Sequence, residues 1–162
     1  MRKTQDPAQR FWSKVDKTST CWNWTAAKQT QGYGVIMVNS RHQRAHRLSF
    51  EWSKGPIPDG MWIDHICMNR ACVRPDHLRL ATPKQNTEHR PVSKNNLSSG
   101  VRGVSLGPRG KWQGRVTHYG KTMSAGLFDT VAEAEVAVIA LRNELFTHNE
   151  LDKLTQQQSE AA

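Results

Sequence analysis

The sequence has few cysteines and no long apolar run, and each of these shortages argues against a class of protein. Three cysteines are an odd number for a disulfide framework, and their position among histidines favours a metal site in a reducing compartment. No stretch reaches the roughly 18 apolar residues that span a membrane, and the N-terminal residues contain no signal-peptide core. We therefore expect a cytoplasmic protein that is not secreted and has no membrane partner.

Basic side chains outnumber acidic ones, with 23 Lys and Arg against 14 Asp and Glu in 162 residues. Such a charge balance attracts polyanions, so nucleic acid is the natural partner. A ribosomal or membrane-surface protein would have a similar composition, so charge alone does not decide the function. The length is compatible with one domain or with two small ones.

Residues that carry chemistry are concentrated near the middle of the chain. In chain order they are Asp64, His65, Cys67, Cys72, His77 and Asn86. Thiolate and imidazole ligands are typical of a closed tetrahedral zinc site, whereas carboxylate and amide oxygens suit magnesium. The two cysteines and His77 therefore predict structural zinc, and Asp64 and Asn86 predict magnesium. His65 is the candidate general base, although a lone histidine is more often structural.

Local signals indicate how these residues meet. Residues 61–63 predict a strand that ends at Asp64 and His65, and residues 78–80 predict its antiparallel return. Thr82 then predicts the N-cap of a helix that carries Asn86 one turn in. We expect the side chains of Asp64, His65 and Asn86 to point toward one place.

A zinc site needs a fourth ligand, and Cys21 is the remaining cysteine. Zinc would then connect the segment around Cys21 to the hairpin and close a long loop at a cost in chain entropy. The alternative is that Cys67 and Cys72 are ordinary buried thiols. Five tryptophans are expected in the core and not on a base-stacking surface, namely Trp12, Trp22, Trp24, Trp52 and Trp62.

The composition changes in the second half of the chain. Residues 101–125 predict short strands with turns, and Thr130 predicts the cap of a following helix. Apolar residues recur in that helix at a spacing that would place them against the sheet, namely Ala134, Val138, Leu141 and Leu145. We predict an α+β protein with a first domain at 1–90, a linker at 91–100, a second domain at 101–150 and a disordered tail at 151–162.

The first domain resembles a known family through short motifs. They are Cys-Trp-Asn-Trp-Thr at 21–25, Gly-Tyr-Gly at 32–34, Ala-His-Arg at 45–47 and Gly-Pro-Ile-Pro at 55–58. In this order, followed by the Cys/His loop, they resemble the zinc-stapled phage and homing endonucleases of the HNH, or ββα-metal, superfamily. The resemblance covers about eighty residues and implies a small zinc-stabilised ββα-metal nuclease domain.

The resemblance also implies a role for each matching residue. His65 corresponds to the general base and Asn86 to the magnesium ligand on the helix. The zinc shell corresponds to Cys21, Cys67, Cys72 and His77. Asp64 stands where zinc-stapled relatives often have a small residue or a histidine, and is the metal-binding acid of other branches. His77 stands at the position of the middle asparagine of those branches, so we assign it to zinc and not to catalysis.

Arg47 has two interpretations. An arginine near the scissile phosphate is expected to stabilise charge there, which makes Arg47 a catalytic candidate. A packed element start at His46 and Arg47 accounts equally well for the same residues.

The second domain resembles the ethylene-response-factor, or Apetala-two, DNA-binding domain. The matching segments lie at residues 99–104, 110–112, 126–130 and 132–134. This resemblance implies a three-stranded antiparallel sheet that enters the major groove and packs on one helix. The predicted DNA-binding residues are Arg102, Arg109, Lys111, Gln113, Arg115 and Thr117. A merely solvated basic face is the alternative, and Ser124 replaces a tryptophan of plant members, so their target sequence does not transfer.

Together these features predict a magnesium-dependent DNA endonuclease, free-standing in a phage or intron-encoded, that acts as a monomer or homodimer on double-stranded DNA. Zn²⁺ would be structural and Mg²⁺ catalytic, with Mn²⁺ able to substitute. If it is phage-encoded, it would act in the cytoplasm of the bacterial host. The alternatives are a non-catalytic DNA-binding regulator that keeps the zinc fold, and an RNA-directed protein. The sheet domain disfavours RNA, whose deep and narrow major groove excludes it.

Overall fold

The computed structural model describes residues 6–90, 98–150 and 152–153, which form two compact units. The first unit is Met1–Asn86 and the second is Thr87–Ala162. Both mix helices with small antiparallel sheets, in agreement with the predicted α+β composition. Most of the predicted linker and tail lies outside the described residues, so the predicted domain boundaries stay a prediction. None of the described helices has the length and apolarity needed to cross a membrane.

Between residues 6 and 88 the chain forms four short helices, counting one 3₁₀ turn, and six short strands. They are α1 Pro7–Trp12, β1 Val15–Lys17, β2 Trp22–Trp24, β3 Val35–Val38, β4 Arg41–Arg44, α2 Ala45–Lys54, β5 Trp62–His65, the 3₁₀ turn Pro75–His77, β6 Leu78–Ala81 and α3 Pro83–Glu88. The strands pair in antiparallel twos, β1 with β2, β3 with β4, and β5 with β6. Two-stranded sheets are marginal alone, so this unit depends on packing and on cross-links between its pieces.

The first unit has two apolar clusters. The larger is built around Phe11 and Trp24, which are almost completely buried, and the smaller joins Phe50, Ile63 and Leu78. The expectation that all five tryptophans are core residues is wrong for two of them, because Trp52 is 43% and Trp62 is 51% exposed. Clusters this small bury limited apolar area, which leaves a stabilising role for a metal.

A hairpin and a helix position the candidate active-site residues. Strands β5 and β6 pair with His65 opposite Leu78 and Asp64 opposite Arg79. The Thr82 hydroxyl accepts a bond from the Gln85 amide at 3.2 Å, and the Gln85 side chain accepts one from the Thr82 amide at 2.8 Å. This reciprocal cap starts α3 at Pro83, as predicted, and places Asn86 one turn into the helix.

The second unit is one three-stranded sheet with a helix. Its elements are β7 Val104–Leu106, a 3₁₀ turn Pro108–Gly110, β8 Trp112–His118, β9 Lys121–Phe128 and α4 Val131–Leu145. The strand order is β7-β8-β9, and Thr130 and Glu133 form a capping box at the start of α4. The apolar core lies between sheet and helix and includes Val116 and Val138. A Cβ at Gly114 would lie 2.7 Å from a Val138 methyl carbon, so glycine is what lets α4 approach the sheet this closely.

Candidate active site and metal centre

Four side chains from separate segments meet in the first unit: Cys21, Cys67, Cys72 and His77. Their ligand atoms all lie within 4.8 Å of one another. The Nδ1 atom of His77 is 3.7 Å from the Sγ atom of Cys21 and 3.7 Å from that of Cys72. A tetrahedral zinc with bonds of about 2.3 Å to sulfur and about 2.0 Å to nitrogen requires separations of roughly 3.5 Å between such ligand atoms. The geometry and donor types therefore fit a zinc ion.

Main-chain hydrogen bonds bring Cys21 to the other three ligands. The Trp24 amide donates to the Ala71 carbonyl at 2.8 Å, and the Val73 amide donates to the Trp22 carbonyl at 2.8 Å. Asn23 and Cys72 thereby form an antiparallel bridge. Because Cys21 precedes this pairing directly, its thiol lies beside the Cys67–Cys72 loop although more than forty residues separate them in sequence.

The thiols are in an environment that opposes their ionisation in the absence of a cation. Burial raises the pKa of Cys67 to about 12 and also raises the pKa of Cys72. A thiolate is the form that binds zinc, so a bound cation would have to displace these protons. The charge of such a cation is what would make burial of several thiolates together tolerable.

His65 is buried and oriented by the same loop. Its Nε2 atom donates to the Cys72 carbonyl oxygen at 3.1 Å, which assigns the proton to Nε2 and leaves Nδ1 as the acceptor. Burial lowers the pKa of His65 below 6.5, while the bond to the Cys72 carbonyl and the nearby Asp64 act in the opposite direction. The net result is a neutral imidazole at physiological pH, which is the state a general base requires.

A cleft of about 370 Å³ lies next to His65. Its lining residues are Tyr33, Arg44, His46, Arg47, Trp62, Ile63 and Asn86. The cleft therefore brings together two of the predicted catalytic residues, Arg47 and Asn86. The His65 ring lies behind the cleft wall, with its centroid 4.8 Å from that of His46 and 5.9 Å from that of Tyr33.

Asp64 is placed differently from the expected common point. It is buried, and its Oδ2 atom lies 2.8 Å from Nη2 and 2.9 Å from Nε of Arg79, its partner across the hairpin. Among the described residues that line the cleft, Asp64 is not included. The structure thus joins Asn86 and Arg47 at the cleft and holds Asp64 in an ion pair next to it.

His46 was left undecided by the sequence and is a prominent feature of the site. It is almost fully buried, and within the described part of the chain its Nδ1 atom has no hydrogen-bond partner. Burial is the main cause that lowers its pKa to about 3, and the nearby His65, Arg44 and Arg47 lower it further. The Ala-His-Arg motif was the sequence signal for this residue, and the structure places it at the start of α2.

The predicted DNA-binding residues of the second unit do not all share one environment. Gln113, Arg115 and Thr117 alternate along β8 and so share one sheet face, with Arg115 and Thr117 exposed. Lys111 pairs with Asp129 at 2.8 Å, and Arg109 lies in the 3₁₀ turn with φ of 58°.

The side chain of Arg102 makes its hydrogen bonds within the second unit. Its guanidinium donates to the carbonyl oxygens of Glu88 at 2.6 Å and Arg90 at 3.3 Å. Burial, aided by the nearby Arg142, lowers its pKa to about 10. These contacts join residues 88–90 to the rest of the second unit, and they give Arg102 a structural role.

Part of the first unit is similar to a known family. Residues 43–88 match the model of the HNH endonuclease family. The matched residues include α2, the β5–β6 hairpin and α3, which carry most of the residues that line the cleft. No solved structure matches the chain significantly.

Similar proteins occur in viruses. Protein 7.7 of Escherichia phage T7 is 41% identical over 68 residues, covering 42% of this chain and 52% of the phage protein. Protein 3.8 of the same phage is 43% identical over 79 residues, covering 48% of this chain and 64% of that protein. An uncharacterised HNH endonuclease of Acanthamoeba polyphaga mimivirus is 34% identical over 95 residues, covering 58% of this chain and 46% of its own length. The chain thus spans about half to two thirds of these relatives.

Replacing His46 with asparagine should weaken the dependence of stability on pH. Folded His46 has a pKa of about 3, whereas an unfolded histidine titrates near 6.5, so the unfolded state binds more protons between these values. Stability therefore falls as pH decreases through this window, and this residue contributes up to ~1.4 kcal/mol per pH unit.

Chemical denaturation at about pH 7.5 and about pH 5.5 measures this slope. His46→Asn should lose less stability than the wild type on acidification, and His42→Asn, which changes an exposed histidine, should match the wild type. All three proteins keep the Cys/His cluster, so acid release of a metal affects them equally. An unchanged slope in His46→Asn contradicts a neutral buried His46.

Proposed function

We propose that this chain is a zinc-stabilised, magnesium-dependent DNA endonuclease of the phage or homing type. One observation carries the proposal: His65, held at Nε2 by the Cys72 carbonyl, lies behind a cleft lined by Arg47 and Asn86. This arrangement falls within the segment that matches the HNH endonuclease family. The basic composition supports DNA as the substrate.

In the proposed reaction, Nδ1 of His65 accepts a proton from a water molecule. The water oxygen attacks the phosphorus atom and forms the new P–O bond, while the bond from phosphorus to the 3′ oxygen breaks. The electron pair of that bond stays on the 3′ oxygen, which takes up a proton from solvent. The products are a 5′-phosphate and a 3′-hydroxyl, as the family resemblance implies.

Arg47 is proposed to stabilise the charge that develops on the phosphate oxygens. It lines the cleft from the first turn of α2, and its guanidinium is a permanent cation with five hydrogen-bond donors. A fixed cation at this position favours the more negatively charged transition state over the ground state.

Asp64 and Asn86 are the residues that would hold magnesium. Their oxygens are the hard donors that Mg²⁺ and Mn²⁺ prefer, and a carboxylate offers about four acceptor positions, so an ion pair with Arg79 is compatible with metal binding. When bound, the ion would stabilise negative charge on the phosphate and on the departing oxygen.

The Cys/His cluster is proposed to bind one structural zinc ion. Its four donors satisfy the ligand number, donor type and spacing of such a site. A zinc ion there would join β2 to the loop that carries the Cys72 carbonyl. Zinc would thus hold His65 in position without taking part in the reaction.

His77→Asn should lose zinc and destabilise the first unit, because a structural zinc contributes folding free energy directly. Cys67→Ser and Cys72→Ser should behave in the same way. Elemental analysis should find one zinc per chain in the wild type and in the control His42→Asn, and much less in the three ligand variants. Thermal unfolding followed by circular dichroism measures the destabilisation. A wild-type protein that is folded and free of zinc contradicts the assignment.

His65→Ala should reduce cleavage by a factor of roughly a hundred or more, because general-base catalysis contributes on that scale. Zinc content and DNA affinity should stay near wild type. Asn86→Ala should instead raise the magnesium concentration needed for activity, since it removes one oxygen ligand. Asn86→Ala is a cleaner test of magnesium dependence than Asp64→Ala, because replacing Asp64 would also remove its ion pair with the mostly buried Arg79.

Conversion of supercoiled plasmid to nicked and linear forms measures both effects, over a series of magnesium concentrations. The two product forms also distinguish nicking from double-strand cleavage. Cleavage by His65→Ala at the wild-type rate excludes this residue as the base. A wild-type protein that binds DNA but leaves it uncut with magnesium and manganese supports the non-catalytic regulator instead.

The second unit is proposed to recognise the DNA target through one face of its sheet. The supporting feature is the row of Gln113, Arg115 and Thr117 on β8, since arginine and glutamine can bond base edges in a bidentate manner. Ser105 lies opposite Gln113 on β7, and Ser124 lies opposite Arg115 on β9, so polar residues continue this face on both sides.

Arg115→Ala should weaken binding to a duplex selected from random sequences by roughly 1–3 kcal/mol and should relax its sequence preference. Lys121→Ala is the matched control because it removes one exposed positive charge, also from the sheet, without changing this face. Titrations at two salt concentrations separate base recognition from phosphate attraction. If both substitutions weaken DNA binding equally, this face is only a solvated basic surface and does not recognise sequence.

A further inference from the structure

Trp62 combines large exposed aromatic area with a position at the cleft. It begins β5, and its side chain is 51% exposed, whereas the next three residues of the strand are buried. The indole lines the cleft together with Arg47 and Asn86. An exposed single aromatic residue is common on protein surfaces, but here it lies in the wall of a concave site.

The charges around Trp62 favour an anionic ligand. Arg44 and Arg47 both line the cleft, and the Arg44 guanidinium carbon lies 5.1 Å from the centre of the Tyr33 ring, which orients it. None of the lining residues, all within the described ranges, carries a carboxylate. Another lining residue, His46, stays neutral because burial lowers its pKa. The cleft therefore offers cationic groups beside a flat apolar surface.

Trp62 lies a short distance along β5 from His65, the proposed general base. Trp62 precedes Asp64 by two residues and His65 by three, at about 3.4 Å per residue. Three residues span roughly 10 Å, and successive phosphates of one DNA strand are about 3.4 Å apart along the helix axis. A nucleotide beside Trp62 would therefore lie within about three nucleotides of a phosphate at His65.

We propose that the cleft is a nucleotide subsite in which Arg44 and Arg47 bind the phosphate and Trp62 stacks on a base that has left the duplex stack. The inference rests on the proposed endonuclease function. Inside a regular duplex both faces of every base are covered by neighbours, so the indole can stack only where a base is unpaired or displaced. The preferred substrate is accordingly DNA with a locally distorted or unpaired position within a few nucleotides of the cut.

Binding to two duplexes of the same sequence, one fully paired and one with a single bulged base, tests this proposal. Magnesium is omitted to prevent cleavage, and chelators are omitted to leave the Cys/His cluster undisturbed. Trp62→Ala should bind the bulged duplex roughly 5- to 100-fold more weakly than wild type does. It should bind the paired duplex with nearly the wild-type affinity. Trp62→Phe should retain most of the preference for the bulged duplex over the paired one, because a phenyl ring still stacks on a base.

Trp52→Ala is the matched control. Trp52 is also a partly exposed tryptophan, at 43%, but it lies on α2 and is not part of the cleft lining. Its replacement should leave the preference for the bulged duplex unchanged. Circular dichroism and zinc content of each variant establish that the compared proteins are folded.

A fluorescent base gives a readout that a merely structural role of Trp62 would not change. With 2-aminopurine at the bulge, its emission should fall on binding to wild type and to Trp52→Ala, and fall much less with Trp62→Ala. Retained preference and quenching in Trp62→Ala overturn the proposal. Equal weakening on both duplexes also overturns it, since the indole would then serve overall binding or folding.

Plasmid cleavage by wild type and His65→Ala, measured in parallel, separates this inference from the proposed function. If only the wild type cuts and Trp62→Ala binds the bulged duplex normally, the endonuclease stands and the stacking subsite is wrong. If neither cuts but Trp62→Ala loses the preference, the subsite stands and the endonuclease proposal fails.

Discussion

Cys72 is the residue on which the candidate site depends, because three of its groups serve three different purposes. Its backbone pairs with Asn23 and joins β2 to the hairpin loop, its thiol belongs to the Cys/His cluster, and its carbonyl accepts the Nε2 proton of His65. A disturbance of the cluster would therefore reach the imidazole through a single residue. This coupling explains how a small unit with two modest apolar clusters can hold a candidate base in one orientation.

Burial sets the electrostatics of the cleft. His46 and His65 have lowered pKa values, chiefly because a charged imidazole is poorly solvated there. Arginines line the same cleft, and a guanidinium is a permanent cation. The result is a site with fixed cations and neutral proton acceptors, which suits a phosphodiester substrate. The ion pair of Asp64 with Arg79 stands next to this site and keeps the charge of the buried carboxylate compensated.

Both units are small, and the pieces of each are held together in a different way. In the first, a main-chain bridge joins β2 to the β5–β6 loop, and the four potential zinc ligands Cys21, Cys67, Cys72 and His77 meet beside it. In the second, α4 covers one face of a single sheet at a distance set by Gly114, and a capping box starts that helix. The opposite sheet face is thereby left to solvent, and its polar residues are available for a partner.

The sequence alone determined the elements and the candidate metal ligands that depend on local spacing. The β5–β6 hairpin, the Thr82 and Thr130 caps and the Cys-x4-Cys-x4-His pattern follow from turn chemistry, strand alternation and ligand spacing over a few residues. Tertiary structure alone decided that Asp64 pairs with Arg79, that Arg102 makes its contacts within its own unit, and that Trp62 is exposed at the cleft. These outcomes depend on which elements pack together, and periodicity within one strand or helix carries no information about the neighbour it will meet.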